Sequence, residues 1–423
     1  MSESTQRYSP GMSRDADAPG RPAGTESRRS PEGGVVLFTA FEPSGDAHAA
    51  PVIAALRAHR PDLRICAWGG PRMAEAGAEI IERTSEDGVM GLGGFLKAFE
   101  MKRTIDRIDA WAGRHPVGLH VPVDSPSANF PLCKRLRRRG TRTIHLIAPK
   151  VWAWGQWRVR RLVNHSDHVL CILPFEEKWF GERGVEASFI GHPVMAKPID
   201  EEALAEGRRD LPEGSPRILV LPGSRSGEIK ANLGHQLEAF RRIREQFPDA
   251  AAVIVAANER IATRVRTRFD PLPEGVRLQE GGLEVAISWA DLALATSGTV
   301  SLDLARQDCP MIGSYAIPRW QMMIASMLVR TPYKLLPNIV AGEEIVPEFV
   351  PYVASRGAAP IVGAAMPLLS EPQALAAMKS SLAEIRAEFD GIDPGEVAAE
   401  RILSLLGAWS QSEVDSGSEP PEA

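Results

Sequence analysis

Short apolar runs alternate with stretches of helical pattern along most of this chain. In the first half the runs cover residues 35–38, 63–68, 118–123, 143–147, 169–173 and 187–190. Because the runs are continuously apolar and not apolar at every second position, both faces of each strand must be buried. Strands of this kind form a parallel sheet with helices on both sides. Residues 34–196 are therefore predicted to fold as one doubly wound α/β lobe.

The same scheme returns in the second half of the chain. Apolar runs at 218–221, 252–256, 292–295 and 311–315 predict a second doubly wound lobe over residues 217–369, after a polar, proline-containing linker at 197–216. Residues 370–409 repeat apolar positions at spacings of three and four, which predicts two amphipathic helices. The ends, 1–33 and 410–423, are rich in Ser, Pro and charge, and we expect both to be disordered tails.

The composition argues against several functional classes. A formal net charge of −5 over 423 residues does not suit a general polyanion binder, so nucleic acid is not an expected partner. The four cysteines form no Cys-x-x-Cys pair, which favours buried free thiols in a reducing cytosol. The amino terminus lacks the apolar core of a secretory signal. No apolar stretch reaches the roughly 20 residues that a bilayer requires.

Two turns of small residues, each between a predicted strand and a helix, predict a diphosphate site. They are Pro222-Gly223-Ser224-Arg225 and Ser297-Gly298-Thr299. Small residues let the backbone approach phosphate oxygens, and the first N–H groups of a following helix favour an anion. Arg225 adds a forked, permanently charged donor. Neither turn continues into the Gly-Lys-Ser/Thr of a P-loop, which favours a nucleotide sugar over a transferable γ-phosphate.

No metal or other cofactor is expected. The only Asp-x-Asp pair, Asp15-Ala16-Asp17, lies in the predicted amino-terminal tail. A transferase without a metal must stabilise a departing diphosphate with arginine, hydroxyl groups and helix dipoles. Arg225, Ser297 and Thr299 are the candidates for that role.

The first predicted strand leads into a turn that opens a helix, with the sequence Glu42-Pro43-Ser44-Gly45-Asp46. In an open α/β sheet such a turn lies at the carboxyl edge, where ligands bind. Ser44 and Asp46 are explained equally well as helix caps. Glu42 is not needed for capping, which makes it the stronger candidate.

Asp124 ends another predicted strand, directly before Ser125-Pro126. A glycosyl transfer needs a general base at this edge to take the proton of the acceptor hydroxyl. An aspartate that initiates a turn before Ser-Pro is the commoner explanation of such a position. Both interpretations stay open from spacing alone.

Three segments combine apolar or aromatic residues with cations. They are 89–96 with Lys97 and Lys102, 134–139 with five cations in six positions, and 152–158 with Arg160 and Arg161. Each cation near an anionic leaflet contributes about 1 kcal/mol, so docking on a membrane surface is one interpretation. Core packing and solvated helix faces are a second interpretation, and stacking on a sugar is a third for the aromatic segment at 152–158.

Ten short motifs follow one another between about residues 34 and 405. They are Glu42-Pro43-Ser44-Gly45-Asp46, Gly69-Gly70-Pro71-Arg72-Met73, Val89-Met90-Gly91-Leu92, Asp124-Ser125-Pro126, Val151-Trp152-Ala153-Trp154, Leu173-Pro174-Phe175-Glu176, Gly191-His192-Pro193, Leu221-Pro222-Gly223-Ser224-Arg225, Ser297-Gly298-Thr299 and Leu336-Pro337-Asn338. In this order and number they resemble the lipid-A-disaccharide synthase family. One motif alone is unspecific.

The resemblance implies a two-lobed GT-B glycosyltransferase whose final helices pack back across the lobes. Such an enzyme joins UDP-2,3-diacylglucosamine to 2,3-diacylglucosamine 1-phosphate through a β-1,6 linkage, with inversion. The resemblance also implies a peripheral protein on the cytoplasmic face of the inner membrane, held at an anionic surface with acyl chains near Met90. A monomer or a homodimer is expected.

The resemblance assigns roles to residues of both lobes. Asp124 is expected to be the base, with Glu42 as a second catalytic candidate. The residues expected to bind substrate or UDP are Ser44, Gly45, Asp46, Gly223, Ser224, Arg225, Ser297, Gly298, Thr299, Asp303 and Asn338.

Three places depart from the family's usual motifs. The family usually reads Asp-Ala-Pro-Asp-Phe-Asn, whereas this chain has Asp124-Ser125-Pro126-Ser127-Ala128-Asn129. Gly155 stands where an Arg is usual, and Asp303 where a Glu is usual. Because most of these changes fall in the first lobe, an altered acyl or acceptor preference is expected there.

Two other functions fit the same residues. One is a different UDP-sugar enzyme on this scaffold, such as a glycan transferase or a UDP-N-acetylglucosamine 2-epimerase. The other is a nucleotide-sugar-binding protein that has lost catalysis.

Overall fold

A computed structural model of the chain describes residues 34–84, 94–153, 155–317, 331–353 and 356–416. These residues form two compact units. The first unit contains the described residues up to Ala196 and those from Gly391 onward, and the second unit is Lys197–Asp390. The predicted tail at 1–33 lies outside the described residues, as do residues 89–93 and Trp154.

The first unit is built on a seven-stranded parallel sheet with the order β3-β2-β1-β4-β5-β6-β7. Its strands are β1 (Val35–Thr39), β2 (Ile65–Gly69), β3 (Glu79–Arg83), β4 (Val117–Pro122), β5 (Arg142–Leu146), β6 (His168–Cys171) and β7 (Ala187–Phe189). The helices between them are α1 (Pro43–His59), α2 (Pro71–Glu75), α3 (Gly94–Ala112), α4 (Pro126–Arg137), α5 (Val159–His165) and α6 (Pro174–Gly181). Strands β1, β2, β4, β5 and β6 are buried along their whole length, as the apolar runs predict.

The second unit has a six-stranded parallel sheet with the order β10-β9-β8-β11-β12-β13. Its strands are β8 (Arg217–Leu221), β9 (Ala251–Ala256), β10 (Val276–Glu280), β11 (Leu292–Thr296), β12 (Met311–Ile317) and β13 (Glu348–Val353). Its helices are α7 (Glu201–Gly207), α8 (Ser226–Gln246), α9 (Glu259–Arg268), α10 (Leu283–Trp289), α11 (Val300–Arg306), α12 (Leu336–Ala341), α13 (Ala359–Ser370) and α14 (Pro372–Ala387). The core lies on both faces of β8, β9 and β11.

The helices at the end of the chain are divided between the two units. The last helix, α15 (Pro394–Ser416), belongs to the first unit and packs along α1, whereas α14 groups with the second unit. Helix α15 also runs to Ser416, beyond the boundary at 410 where the sequence predicts a disordered tail. Residues 417–423 lie outside the described part of the chain.

The expected linker at 197–216 is part of the second unit and contains α7. Arg306 of α11 holds its first residues, because Nη1 donates to the carbonyl oxygen of Lys197 at 3.1 Å. Trp289 Nε1 donates to the carbonyl oxygen of Pro212 at 3.1 Å. These hydrogen bonds join residues 77 and 109 positions apart in the chain, and local composition does not reveal such pairs.

All four cysteines are free and buried. Burial is the first cause of the raised pKa of the thiols of Cys66, at about 11, and of Cys309, at about 12. Thiols with such pKa values are poor nucleophiles at neutral pH. We conclude that the cysteines fill core space.

Candidate active site

Two predicted phosphate-binding turns lie together in the second unit. Strands β8 and β11 are neighbours, with Leu221 beside Ala295 in register. From this pair the next strands in the chain are added on opposite sides, β9 and β10 beside β8, and β12 and β13 beside β11. The turns that follow β8 and β11, 222–225 and 297–299, therefore lie side by side at the carboxyl edge. In open α/β sheets this point of reversal is where ligands bind.

Two backbone N–H groups of the first turn are already used within the protein. Those of Ser224 and Arg225 donate to Glu228 Oε2 at 3.0 and 3.1 Å, and Arg225 Nη1 donates to Glu228 Oε1 at 2.9 Å. The carboxylate of Glu228 thus occupies the start of α8, where the sequence analysis expects a phosphate. The guanidinium of Arg225 remains accessible, because its side chain is 82% exposed.

Gly223 is required by the position of Glu228. Its φ is +107°, and a Cβ at this residue would lie 2.5 Å from Glu228 Oε2 and 2.6 Å from Glu228 Cβ. A side chain would therefore displace the carboxylate that shapes the turn.

The second turn is tied to the neighbouring strand. The N–H of Ser297 donates to the carbonyl oxygen of Ser314 in β12 at 3.2 Å, while Gly298 and Thr299 are exposed before α11. Asp303 is buried in α11, and its carboxylate lies 3.6 Å from Lys197 Nζ. Burial raises the pKa of Asp303, and the ammonium of Lys197 opposes that rise.

Tyr315 of β12 is a site candidate that the sequence analysis does not identify. Burial raises the pKa of its phenol, and the charge of Glu228 raises it further while Arg225 lowers it. The next residue, Ala316, donates its N–H to Asn232 Oδ1 at 2.7 Å, and Asn232 Nδ2 donates to the carbonyl oxygen of Glu228 at 2.8 Å. Strand β12 therefore presents a phenol close to the first turn.

Asn338 has a structural position that differs from its expected contact with UDP. The residue is fully buried in α12. Its Oδ1 accepts hydrogen bonds from the N–H groups of Ile345 and Val346, and its Nδ2 donates to the carbonyl oxygen of Val346 and to Glu348 Oε2. With donor and acceptor groups both used, Asn338 anchors the chain before β13.

The first unit has its own point of strand reversal, between β1 and β4. Thr39 lies beside Pro122 in register, and the N–H of Val123 donates to the carbonyl oxygen of Thr39 at 3.0 Å. The turn after β1 and Asp124 after β4 are therefore adjacent at the carboxyl edge.

Asp124 and Ser125 have a rare backbone conformation. Their φ angles are +44° and +41°, in the left-handed region that residues other than glycine seldom adopt. Each such residue costs about 1–2 kcal/mol, and strain of this kind is concentrated at functional sites. The N–H of Asp124 donates to the carbonyl oxygen of Leu146 at 3.0 Å, which ties the turn to β5.

The turn after β1 divides into exposed and buried residues. Glu42, at the amino-terminal cap of α1, makes no side-chain capping hydrogen bond, and both it and Ser44 are exposed. Gly45 is buried, and a Cβ at this position would lie 3.0 Å from Cβ of Ala40. Glu42 and Ser44 are therefore the accessible polar side chains of this turn.

Asp46 does not face the ligand edge as expected. It is 3% exposed, and its carboxylate accepts hydrogen bonds from the N–H groups of Gly70, Arg72 and Met73 at 2.9–3.1 Å. Asp46 therefore caps α2, a helix other than the one that contains it. From the sequence alone Asp46 is expected to cap α1, because it lies in the first turn of that helix.

His48 of α1 is a second candidate that sequence reasoning missed. Burial lowers the pKa of its imidazole, and the nearby carboxylate of Asp124 opposes this shift. His48 follows Gly45 by three positions and so lies on the same face of the helix. That face lies against Val123, the residue between β4 and Asp124, because a Cβ at Gly45 would lie 3.7 Å from Val123 Cγ1.

The aromatic segment at 152–158 is partly core and partly surface. Trp152 is buried, and its Nε1 donates to Glu176 Oε1 at 2.8 Å. Glu176 is itself fully buried, and burial raises its pKa to about 7. Trp157, in contrast, is 67% exposed with the guanidinium of Arg161 5.4 Å from its ring centroid.

The basic segment at 134–139 is largely neutralised by ion pairs inside the first unit. Arg135 contacts Asp106 at 2.7 Å, and Arg139 contacts Asp109 at the same distance. Arg137 lies 3.5 Å from the buried Asp167. These pairs favour the structural interpretation of this segment.

Among the described residues, no group of three or more His, Cys, Asp or Glu side chains is arranged to hold a metal ion. None of the helices in that part of the chain is both long and apolar enough to cross a membrane.

Comparison with known proteins decides the family. The family model for lipid-A-disaccharide synthetase matches residues 36–386. A lipid-A-disaccharide synthase from Granulibacter bethesdensis is 34% identical over 391 residues, covering 88% of this chain and 99% of that protein. The lipid-A-disaccharide synthase of Anaeromyxobacter sp. strain K is 34% identical over 385 residues, covering 88% and 97%. The chain belongs to the lipid-A-disaccharide synthase family.

Solved structures agree with the GT-B fold expected for this lipid-A-disaccharide synthase family member. The glycosyltransferase of kitacinnamycin superposes with a TM-score of 0.58 at 15% identity, covering 88% of this chain and 99% of that one. A putative UDP-N-acetylglucosamine 2-epimerase from Listeria monocytogenes gives 0.57 at 12% identity, covering 89% and 97%. These similarities confirm the fold class of two Rossmann-like α/β units.

The positions where this synthase-family chain departs from the usual motif now have a structural setting. Ala128 is 1% exposed and Ser127 is exposed, so only Ser127 leaves its side chain at the surface. Gly155 has a φ of +70°, and a Cβ there would lie 3.0 Å from Arg158 Nε. The guanidinium of Arg158 therefore lies beside the position where the family usually has an arginine.

Proposed function

We propose that this chain condenses UDP-2,3-diacylglucosamine with 2,3-diacylglucosamine 1-phosphate, releasing UDP and forming a β-1,6 linkage with inversion. The observation that carries this proposal is the family match over residues 36–386, which includes the turns at both points of strand reversal. A different UDP-sugar enzyme and an inactive binding protein are the alternatives to exclude.

The proposed chemistry is one displacement at the anomeric carbon. Asp124 takes the proton of the acceptor hydroxyl, and the oxygen of that hydroxyl forms the new bond to the anomeric carbon. At the same time the bond between the anomeric carbon and the UDP oxygen breaks. The strained position of Asp124 at the carboxyl end of β4 supports this role. Glu42, exposed on the adjacent turn, is proposed as a second catalytic residue, and the exposed Ser44 is proposed to bind substrate.

The second unit is proposed to bind UDP. Arg225 stabilises the diphosphate as negative charge develops on it, and the exposed backbone of Gly298 and Thr299 adds hydrogen-bond donors. Glu228 has a supporting role, because it orients both the turn and the guanidinium. Asn338 is not proposed to contact UDP, because its side-chain amide is hydrogen-bonded inside the core.

Product formation tests the proposed function. The purified full chain is incubated with both acylated substrates, and disaccharide and UDP are measured together. We expect equal amounts of both products, and Asp124→Asn should lose turnover while it still binds UDP in calorimetry. UDP binding without disaccharide would support the binding protein. Conversion of UDP-N-acetylglucosamine alone would support the epimerase.

We also propose that the first unit docks on the inner face of the inner membrane, in the cytoplasm. Phe99 and Trp157 are 53% and 67% exposed. Each lies under a guanidinium, with Arg103 4.4 Å and Arg161 5.4 Å from the ring centroids. Exposed aromatic rings beside cations suit the boundary between headgroups and acyl chains. The segment near Met90 lies outside the described residues.

Liposome flotation tests the membrane proposal. We expect the chain to float with vesicles rich in phosphatidylglycerol, and Arg161→Gln to weaken flotation. Arg135→Gln removes the same charge from a residue paired with Asp106, and so serves as a matched control. Equal flotation with neutral and anionic vesicles, or equal effects of both substitutions, contradicts the proposal.

A further inference from the structure

A chain of buried polar side chains leads to the strained turn at Asp124. Thr39 Oγ1 lies 2.9 Å from His120 Nε2 and 2.9 Å from Asn129 Oδ1. Asn129 Nδ2 reaches the carbonyl oxygens of Val123 at 3.1 Å and Asp124 at 2.7 Å. Thr39, His120 and Asn129 are each 0% exposed. They lie on β1, β4 and α4, the elements that meet at this edge of the sheet.

The chemistry of the partners fixes the direction of every hydrogen bond in this chain. Because the two carbonyl oxygens can only accept, the group of Asn129 that faces them must be its amide nitrogen. Its oxygen therefore faces Thr39 and receives the single hydroxyl proton. Thr39 Oγ1 must then accept from His120, which requires the tautomer with hydrogen on Nε2.

The far end of the chain agrees with this tautomer. Burial lowers the pKa of His120 to about 3, so the ring is neutral, with one nitrogen that donates and one that accepts. With hydrogen on Nε2, Nδ1 accepts, and Cys133 Sγ lies 3.9 Å from it as a weak donor. The donors therefore all point from Cys133 and His120 toward the turn.

The turn needs such support because neither of its residues is glycine. Asp124 and Ser125 both have positive φ, and a side chain at either position opposes that conformation. The carbonyl oxygen of Asp124 accepts a hydrogen bond from Asn129 Nδ2 at 2.7 Å. A rotation of this peptide would move the Asp124 carboxylate, because both are attached to the same Cα.

We infer that His120, Thr39 and Asn129 are positioning residues for Asp124. By holding the left-handed turn through the Asp124 carbonyl, they keep its carboxylate where it takes the proton of the acceptor hydroxyl. The inference rests on the proposed role of Asp124 as the base. A purely structural role in the core predicts lost stability without a selective loss of turnover.

Thr39→Val is the most direct test of the hydroxyl, because valine keeps the shape of threonine and replaces only the hydroxyl group with a methyl group. Thr143→Val in β5 is the matched control, since Thr143 has a buried hydroxyl in the same sheet that has no hydrogen-bond partner among the described residues. Thr39→Ser restores the hydroxyl. His120→Gln keeps an N–H near Nε2, whereas His120→Leu removes it, and this second pair tests the chain if Thr39→Val does not fold.

The measurements are kcat and KM for the UDP sugar, with Asp124→Asn assayed in parallel. We expect Thr39→Val to lower kcat by about tenfold or more with KM within about twofold, because small displacements of a catalytic group are costly in rate. Thr39→Ser should recover most of the loss, and Thr143→Val should resemble the unchanged chain. His120→Leu should be slower than His120→Gln.

The outcomes separate this inference from the proposed function. If Asp124→Asn is inactive while Thr39→Val and His120→Leu keep the original kcat, the positioning chain is overturned and the base assignment stands. If Thr39→Val and Thr143→Val lower kcat equally, the effect belongs to the core and the inference also fails. Full activity of Asp124→Asn overturns the base assignment itself, and the inference with it.

Discussion

Asp46 Oδ1 of α1 accepts a hydrogen bond from the backbone N–H of Met73 in α2, at 3.1 Å. The same carboxylate accepts from Gly70 at 2.9 Å and from Arg72 at 3.1 Å. A buried anion therefore holds the amino terminus of a helix that begins twenty-five residues later in the chain. These hydrogen bonds indicate that Asp46 stabilises the fold, whereas its motif predicts that it binds a ligand.

We expect Asp46→Ala to lower the free energy of unfolding by about 2 kcal/mol, because three backbone donors lose their acceptor in a buried place. Urea denaturation measures the change. Ser44→Ala, on the exposed part of the same turn, should stay within about 0.5 kcal/mol of the original chain. Similar losses for both variants contradict the capping role.

Gly223→Ala should weaken UDP binding by about tenfold or more. Alanine cannot adopt the φ of +107° without strain, and its Cβ would meet the Glu228 carboxylate at 2.5 Å. Gly234→Ala is the control, because a Cβ at residue 234 of α8 would have one neighbour within 4 Å in the described part of the chain, a ring carbon of Phe269 at 3.8 Å. That change should raise stability by about 0.5–1 kcal/mol through helix propensity and leave UDP affinity unchanged. Calorimetry measures both affinities, and unchanged binding by Gly223→Ala would refute the prediction.

Glu176 should make the protein less stable as pH rises from about 4.5 to 7. Burial raises its pKa from 4.5 to about 7, so between these values the folded state keeps a proton that the unfolded state has released. The loss amounts to about 3 kcal/mol over this window. It is absent below pH 4.5, where both states are protonated.

Glu176→Gln tests this pH dependence. A glutamine side chain has no proton to release, so its free energy of unfolding should change less between pH 4.5 and 7 than that of the original chain. Its baseline stability should fall, because one amide cannot accept from Trp152 and from the N–H groups of Ile172 and Leu173 together. Parallel pH profiles for the two proteins would remove Glu176 as the cause.

Substitutions of His48 and of Asp124 should lower kcat to different extents. With Asp124 as the base, Asp124→Asn should lower kcat by about a hundredfold or more, and His48→Asn by only severalfold through the local electrostatic environment. UDP affinity should be unchanged in both variants, since both residues lie in the first unit. A larger loss for His48→Asn reverses the assignment and makes the imidazole the base.

The central strands were predictable because a strand that is buried on both faces is apolar along most of its length. Strands β1, β4, β8 and β11 coincide with continuous apolar runs. The edge strands β3 and β10 were missed, since they are only partly buried and contain charged residues. Strand β13, which contains Pro351, was missed for a related reason, because proline argues against a strand in sequence reasoning.

The turns of the candidate site were easier to predict than their hydrogen bonds. The motifs at 222–225 and 297–299 follow strands β8 and β11, and the parallel pairing of these strands brings the two turns to one edge. The same motifs did not indicate that Glu228 takes the N–H groups of the first turn, or that the Asn338 amide is used inside the core. A hydrogen-bond partner depends on distance in space, and a motif specifies only residue type and order.

The sequence by itself determined two doubly wound α/β lobes, the turns that end their central strands and membership of a glycosyltransferase family. Hydrophobic burial and turn chemistry are local enough to be read from neighbouring residues. Only the tertiary structure decided that Asp46 caps a different helix, that the charge of Asp124 acts on the imidazole of His48, and that a buried chain from His120 reaches the Asp124 backbone. The physical reason is that these relationships join side chains from separate elements, whose polar groups find their partners only after the strands and helices have packed.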